Sequence, residues 1–155
     1  MILIVRILIV YDTKRGSTEK VATFMSNVLS KISDVEISKP SEKNIQFYDA
    51  VVILSPIYYE KPLNSIISFI HANREALSSV PVCLGAVCMA QMFGHTAKSY
   101  AYKHYLAKME KALGREPECR GIITGFLFKQ GSRTFQDATN LAKRFCKILK
   151  MDNVK

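Results

Sequence analysis

The sequence predicts a doubly wound α/β domain, in which helices cover both faces of a five-stranded parallel sheet. Short apolar segments alternate along the chain with segments of helical periodicity, which is typical of βαβ units. The most apolar segments lack a polar face, as expected for strands buried in the middle of such a sheet. Five strands are too few for a (β/α)8 barrel. The 155 residues are predicted to form a single domain, 1–155.

The first half of the chain supplies three of the predicted strands. Residues 1–10 are almost entirely aliphatic, residues 35–37 alternate in polarity, and residues 50–54 are again apolar on both faces. Between the first two strands, apolar residues recur at helical spacing over 21–29 and predict the first helix. Pro56 is expected to end the third strand, because proline cannot donate a hydrogen bond to the sheet.

The second half of the chain continues the same alternation. Pro62 suits the first turn of a helix, which the spacing of apolar residues extends to Leu77. Gly114 is expected to terminate the next helix. The remaining elements are a strand at 80–87, a helix at 96–113, a strand at 121–127 and an amphipathic helix at 135–149.

The charge of the chain favours anionic partners. There are 22 Lys and Arg against 13 Asp and Glu, which gives a net charge of +9. Two helices present basic residues that could dock an acidic protein or an anionic membrane surface, although a solvated face is the simpler interpretation. Nucleic-acid binding is not expected, because no recognisable module is present. The basic residues are His104, Lys108, Lys111 and Arg115 on one face of the 96–113 helix, with Lys143, Arg144, Lys147 and Lys150 on the last helix.

Cysteine spacing and hydropathy predict a cytoplasmic protein. The four cysteines lie far apart without a C-x-x-C pair, so neither a zinc site nor a disulfide framework is expected. The longest apolar run is shorter than a membrane span requires. The amino terminus does not resemble a signal peptide. A peripheral contact with an anionic membrane remains compatible with the charge.

The loop 12–18 is the strongest candidate for a ligand site. In doubly wound folds, ligands bind beyond the carboxyl ends of the strands. Thr13, Ser17 and Thr18 place three hydroxyls beside Gly16, where the predicted helix begins. A helix N-terminus with free backbone N–H groups favours a phosphate, whereas the alternative is that the hydroxyls only cap the helix. Lys14 and Arg15 are interpreted as solvated charges or as direct phosphate contacts.

Two further loops at the same edge are rich in flat apolar surface: a second loop after the third predicted strand and a third loop after the fourth. A phosphate cradle beside such loops suits FMN. His95 is a candidate proton or hydrogen-bond donor, although a loop histidine that begins a helix is the simpler interpretation. Neither a G-x-G-x-x-G dinucleotide motif nor a G-x-x-x-x-G-K-[ST] motif is present. The candidate residues are Ser55, Pro56, Ile57, Tyr58 and Tyr59 in the second loop, with Val87, Cys88, Met89 and Phe93 in the third.

The segments 13–18 and 48–58 resemble the flavodoxin family, and the pattern is closest to its menaquinone-dependent protoporphyrinogen oxidase type. The resemblance implies a flavodoxin-like sheet of strand order 2-1-3-4-5 that binds FMN. It places the phosphate at Thr13, Gly16, Ser17 and Thr18, and the isoalloxazine between the second and third loops. Two departures are visible: Arg15 replaces a hydroxyl, and residues 129–133 form a short turn where the oxidase type has an insertion.

Two functions are therefore expected from the sequence. The first is an FMN-dependent oxidoreductase that passes electrons to a quinone, a porphyrinogen-type compound or a similar acceptor. The alternative is an electron carrier that docks on acidic redox partners without turnover of its own. The turn at 55–60 contains no glycine. A flavodoxin that stabilises a one-electron semiquinone usually flips a peptide beside the flavin, and glycine makes that flip inexpensive. The absence of glycine therefore favours two-electron chemistry. The sequence leaves open whether the chain is a monomer or a homodimer.

Overall fold

The fold is a five-stranded parallel sheet with one short antiparallel addition. The computed structural model describes residues 4–40, 44–88, 94–125 and 132–153. The parallel strands lie in the order β2-β1-β3-β5-β6, while β4 pairs only with β3. Without the two-residue β4, this order is the predicted 2-1-3-4-5, so the fold class is confirmed. The strands are β1 (Arg6–Tyr11), β2 (Asp34–Ser38), β3 (Ala50–Tyr58), β4 (Lys61–Pro62), β5 (Val82–Cys88) and β6 (Cys119–Thr124).

The described part of the chain contains six α-helices, of which the first five lie between strands and the last follows β6. A 3-10 turn at Ile45–Phe47 precedes β3, and a π-helical turn at Tyr102–Leu106 separates α4 from α5. Gly114 ends α5 with a φ of +80°, which confirms the predicted terminator because only glycine adopts this conformation freely. The helices are α1 (Ser17–Leu29), α2 (Asn64–Ala72), α3 (Arg74–Leu77), α4 (His95–Ala101), α5 (Ala107–Leu113) and α6 (Ser132–Asn153).

Successive residues of β1 explain why this strand is apolar on both faces. Ile7 and Ile9 pack into a cluster with α1 and α6. Leu8 and Val10 point the opposite way, into a second cluster with residues of α2 and α5. All four side chains are fully buried. The sheet is therefore covered by helices on both sides, as the uninterrupted apolar run predicts.

Two proline predictions are wrong. Pro56 does not end the third strand: β3 continues to Tyr58, and Pro56 pairs with Val87 of β5. The pairing of β1 with β3 ends at Leu54. Beyond that point β1 offers no acceptor for a backbone N–H of β3, so a proline, which has no N–H, is tolerated there. Pro62 does not begin a helix either. It lies in β4, where it pairs with Ile57 of β3, and α2 starts at Asn64.

The basic face predicted for the 96–113 helix is only partly correct. Arg115 lies beyond the end of α5, where its guanidinium binds the Glu118 carboxylate and donates to the carbonyls of Leu77 and Val80. Arg115 is therefore a structural tie and does not share a helix face with the others. His104, Lys108 and Lys111 are exposed on the helical segment itself.

The outer edge of β6 is covered by side chains of α6. The Asp137 carboxylate accepts the Thr124 backbone N–H at 3.0 Å. The Arg144 guanidinium donates to the Arg120 carbonyl, also at 3.0 Å. In the part of the chain that the structure describes, no helix is both long and apolar enough to cross a membrane.

Candidate functional site

The loop after β1 turns sharply into α1 at Gly16. The Gly16 N–H donates to the Thr13 hydroxyl oxygen at 2.9 Å, and Gly16 has a φ of +91°. A side chain at this position would meet no atom within 4 Å, so the left-handed backbone, rather than crowding, requires glycine. Gly16 itself occupies the N-cap position of α1 and has no side chain that could cap the helix. The alternative in which the loop hydroxyls serve only as helix caps stays a prediction beside phosphate binding.

Thr18 carries the clearest sign of a missing ligand. Its side chain is fully buried, yet its Oγ1 has no hydrogen-bond partner among the described residues. A buried hydroxyl without a partner is unfavourable by about 1–3 kcal/mol, and such groups are rare in folded proteins. Thr18 lies in the first turn of α1, where backbone N–H groups have no acceptor within the helix. The hydroxyl, the N–H groups and the positive end of the helix together fit a phosphate.

Asp12 connects this loop to α2. Its Oδ1 accepts the Thr13 N–H at 2.8 Å, and its Oδ2 accepts the Ser65 hydroxyl at 2.6 Å. The carboxylate therefore holds the loop and the first turn of α2 together. Asp12 and Ser65 are not predicted as site residues from the sequence, because they lie 53 positions apart and belong to no shared motif.

Ser55 and Pro56 belong to the frame of the site. Ser55 is fully buried; its hydroxyl donates to the Pro56 carbonyl and accepts the Leu63 N–H, each at 2.9 Å. Both polar capacities of the Ser55 hydroxyl are thus used within the protein. Pro56 is buried in the ladder beside Val87, which is 4% exposed at the end of β5.

A strained hairpin turn joins β3 to β4. Tyr58 pairs with Lys61, so Tyr59 and Glu60 are the two turn residues, with φ values of +50° and +62°. Positive φ at both positions is the signature of a type I′ turn, in which Asn-Gly is strongly preferred. Each residue other than glycine in this region costs about 1–2 kcal/mol. Tyr59 projects from the turn with 92% of its surface exposed.

The first two loops meet at Tyr58. The Lys14 ammonium lies 5.3 Å from the centre of the Tyr58 ring, and the Arg15 guanidinium lies 6.0 Å from it. Both distances are within cation–π range. Lys14 and Arg15, which the sequence leaves as either solvated charges or phosphate contacts, therefore lean towards the second loop.

A cleft of about 440 Å³ opens between these loops. It lies where the chain leaves β1 and β3, which are adjacent strands at the centre of the sheet. Such a crevice beyond the carboxyl ends of the strands is the usual ligand site of doubly wound folds. The cleft is lined by Asp12, Thr13, Lys14, Tyr58, Tyr59, Lys61, Pro62, Leu63, Asn64 and Ser65.

The third predicted loop is described only at its ends. Cys88 is partly buried, and its carbonyl accepts the Gly125 N–H at 3.1 Å. Met89 and Phe93 lie outside the described residues. His95 is exposed at the first position of α4. Ile57 is partly buried near the end of β3, so the structure brings the first two loops together and leaves the third as a prediction.

The fold and the phosphate-type cradle define a mononucleotide-binding α/β domain. The family model for the flavodoxin domain matches residues 8–139, which is most of the chain. The chain belongs to this family. The resemblance to flavodoxins is therefore confirmed, and the family implies FMN as the cofactor.

Solved structures show the same fold at low sequence identity. The chain matches rubredoxin oxygen:oxidoreductase from Desulfovibrio gigas with a TM-score of 0.70 and 12% identity, over 97% of this chain and 37% of that one. It matches a short-chain flavodoxin associated with a non-canonical PDU bacterial microcompartment with a TM-score of 0.67 and 16% identity, over 94% and 99%.

Flavodoxin 1 from Bacillus cereus also matches, with a TM-score of 0.62 and 11% identity over 92% of this chain and 97% of that one. No curated protein matches the sequence significantly. The chain thus spans the length of the flavodoxins it resembles, but 37% of the length of the larger oxidoreductase.

Proposed function

We propose that this protein is an FMN-dependent oxidoreductase that passes electrons to a quinone, a porphyrinogen-type compound or a similar acceptor. The observation that carries the proposal is the Thr18 hydroxyl in the first turn of α1, which is buried and has no hydrogen-bond partner among the described residues. Bound FMN supplies the redox chemistry, while the protein supplies binding, orientation and electrostatics. The finer assignment to the protoporphyrinogen oxidase type rests on the sequence resemblance alone.

The first loop would hold the phosphate of FMN. Thr18 Oγ1 and the Ser17 hydroxyl are donors in the first turn of α1, beside its backbone N–H groups. The Thr13 oxygen already accepts the Gly16 N–H, but its hydroxyl proton remains able to donate. Lys14 and Arg15 add positive charge, which favours the phosphate dianion.

The isoalloxazine would lie between the second and third loops. Tyr58 and Tyr59 offer aromatic surface beside the cleft, and planar ligands stack favourably on such rings. Val87 and Cys88 end the strand that leads into the third loop. This arrangement leaves the exposed Tyr59 available to an approaching acceptor.

A second candidate is an electron carrier that docks on an acidic redox partner. It is favoured by the exposed cations Lys14, Arg15 and Lys61, of which the first and last line the cleft, and by the net charge of +9. Steady-state assays with NAD(P)H and a quinone distinguish the two candidates. An enzyme turns over in this assay, whereas a carrier alone shows negligible turnover.

The Thr18→Val variant tests the cofactor site with two effects of opposite sign. Valine has the same shape but no hydroxyl, so the cofactor-free variant should gain about 1 kcal/mol in free energy of unfolding. FMN affinity should fall about tenfold to a hundredfold, because a hydrogen bond to a charged group is lost. Urea unfolding of the cofactor-free protein and calorimetric titration with FMN measure these changes.

Thr124→Val is the matched control. Thr124 is also buried, and its Oγ1 has no hydrogen-bond partner in the part of the chain that the structure describes, but it lies at the end of β6, two strands away from β3. We expect a similar gain in stability and no change in FMN affinity. Failure of the wild-type protein to bind FMN would overturn the proposal, and unchanged affinity in Thr18→Val would move the phosphate to another site.

A further inference from the structure

The turn between β3 and β4 needs support from elsewhere in the fold. Tyr59 and Glu60 are the only residues other than glycine with positive φ in the described part of the chain. Glycine would adopt this turn without strain, but the sequence has none there. Strained backbone persists only where surrounding contacts determine it, and it concentrates at functional sites.

Two side chains from a distant helical segment hold Glu60. The Tyr100 hydroxyl donates to the Glu60 carboxylate at 3.0 Å. The Lys108 ammonium donates to the Glu60 backbone carbonyl at 3.1 Å. These contacts hold both the side chain and the main chain of the same strained residue. Tyr100 and Lys108 lie 40 and 48 positions after Glu60 in the sequence.

The helical segment that supplies these two donors is itself well anchored. The Tyr100 ring lies 4.1 Å from the His104 ring and 5.7 Å from the Tyr105 ring, measured between centroids. Leu106 of the π-helical turn and Met109 of α5 are fully buried in the core. The π-helical turn at Tyr102–Leu106 lies between the two donors. It gives them a relative direction that a continuous α-helix would not give.

We propose that Glu60, Tyr100 and Lys108 are positioning residues of the FMN site. They hold the Tyr59–Glu60 turn in its left-handed conformation and thereby fix Tyr58 and Tyr59 at the cleft. The inference rests on the proposed function, since it assigns the turn to cofactor binding. It extends the site to α4 and α5, which the three-loop prediction does not include.

The Tyr100→Phe variant tests this clamp. Without the Tyr100 hydroxyl, only Lys108 holds Glu60 in its left-handed conformation, so the turn should move towards negative φ. In the cofactor-free protein, the strong intraresidue HN–Hα NOE that marks positive φ should weaken at Tyr59 and Glu60. FMN affinity, measured by calorimetric titration, should fall about twofold to tenfold, the range expected for one neutral hydrogen bond. Lys108→Met should act in the same direction.

Two further variants separate positioning from other effects. Tyr102→Phe removes a hydroxyl from the same helical segment, where the ring contacts Arg120 rather than the turn, and should leave the NOE and the affinity unchanged. Glu60→Gly placed in the Tyr100→Phe background should restore FMN affinity, because glycine holds positive φ without a clamp.

Each outcome decides between the alternatives. Wild-type NOE intensities and affinity in Tyr100→Phe would overturn the clamp. A loss of affinity that Glu60→Gly does not restore would also overturn it, since the residues would then act otherwise than through the turn. If the wild-type protein fails to bind FMN, the proposed function fails, while the NOE measurement on the cofactor-free chain still decides whether the clamp exists.

Discussion

The phosphate-type loop and the β3–β4 turn lie at the same edge of the sheet but treat their polar groups in opposite ways. The loop leaves the Thr18 hydroxyl without a partner among the described residues, at the start of a helix whose N-cap is a glycine. The turn has its Glu60 carboxylate and carbonyl both occupied by protein donors. In the proposed site, the unsatisfied Thr18 hydroxyl is a ligand-binding group, while the satisfied groups of Glu60 belong to the frame that holds the site.

The two regions also obtain positive φ by different means. The loop uses Gly16, whose conformation needs no support. The turn uses Tyr59 and Glu60, whose conformation depends on contacts from α4 and α5. The loop is therefore encoded locally, and the turn is encoded by tertiary structure. The following changes test that difference.

The largest effect is expected from Ser55→Ala, which removes a support of the frame. The partly buried Leu63 N–H would lose its acceptor, the fully buried Ser55 hydroxyl, and the free energy of unfolding should fall by about 1–3 kcal/mol. Urea unfolding measures the loss. Ser30→Ala, which removes an exposed hydroxyl bonded to the Ser26 carbonyl, should change stability by less than about 0.5 kcal/mol. Equal effects in the two variants would contradict the role given to Ser55.

Gly16→Ala should destabilise the loop by about 1–2 kcal/mol, because alanine resists a φ of +91°. Gly16→Asn should lose less, since asparagine enters the left-handed region more readily. Thermal unfolding of the cofactor-free variants ranks them. If alanine and asparagine are equivalent, backbone conformation is not what selects glycine at this position.

Asp12→Asn should bind FMN about twofold to fivefold more tightly at low salt. The amide oxygen still accepts the Thr13 N–H, while the variant removes a negative charge beside the phosphate loop, and exposed or partly exposed charge interactions have this magnitude. The gain should disappear as ionic strength rises. Weaker binding would show instead that the full carboxylate bridge to Ser65 is needed.

The smallest effect concerns the titration of Tyr100. Its pKa is raised above the ordinary value, first because its hydroxyl donates to Glu60 and then by partial burial. The neutral phenol is therefore favoured in the folded state, so the contact persists below the ordinary tyrosine pKa and is lost as pH rises through the raised one. The tyrosinate absorbance of wild type minus that of Tyr100→Phe isolates this titration. Glu60→Gln should lower its midpoint.

Local patterns predict the alternation of strands and helices and the phosphate-type loop, while the strand order is implied by the resemblance to flavodoxins. Aliphatic runs define β1 and β3, and the hydroxyls around Gly16 stand at a strand–helix junction. The sequence does not predict the Asp12–Ser65 or Glu60–Tyr100 contacts, because their partners meet only after the sheet assembles. It also misplaces the end of β3, since tolerance of Pro56 depends on where β1 stops pairing.

The covered edge of β6 constrains how this protein can associate with itself. An edge strand with open backbone groups invites another chain to extend the sheet, which leads to dimers or aggregates. Asp137 and Arg144 already occupy the Thr124 N–H and the Arg120 carbonyl on that side. A second copy would have to displace both contacts before its own strand could pair there. Self-association by sheet extension through β6 is therefore opposed by side chains of the last helix.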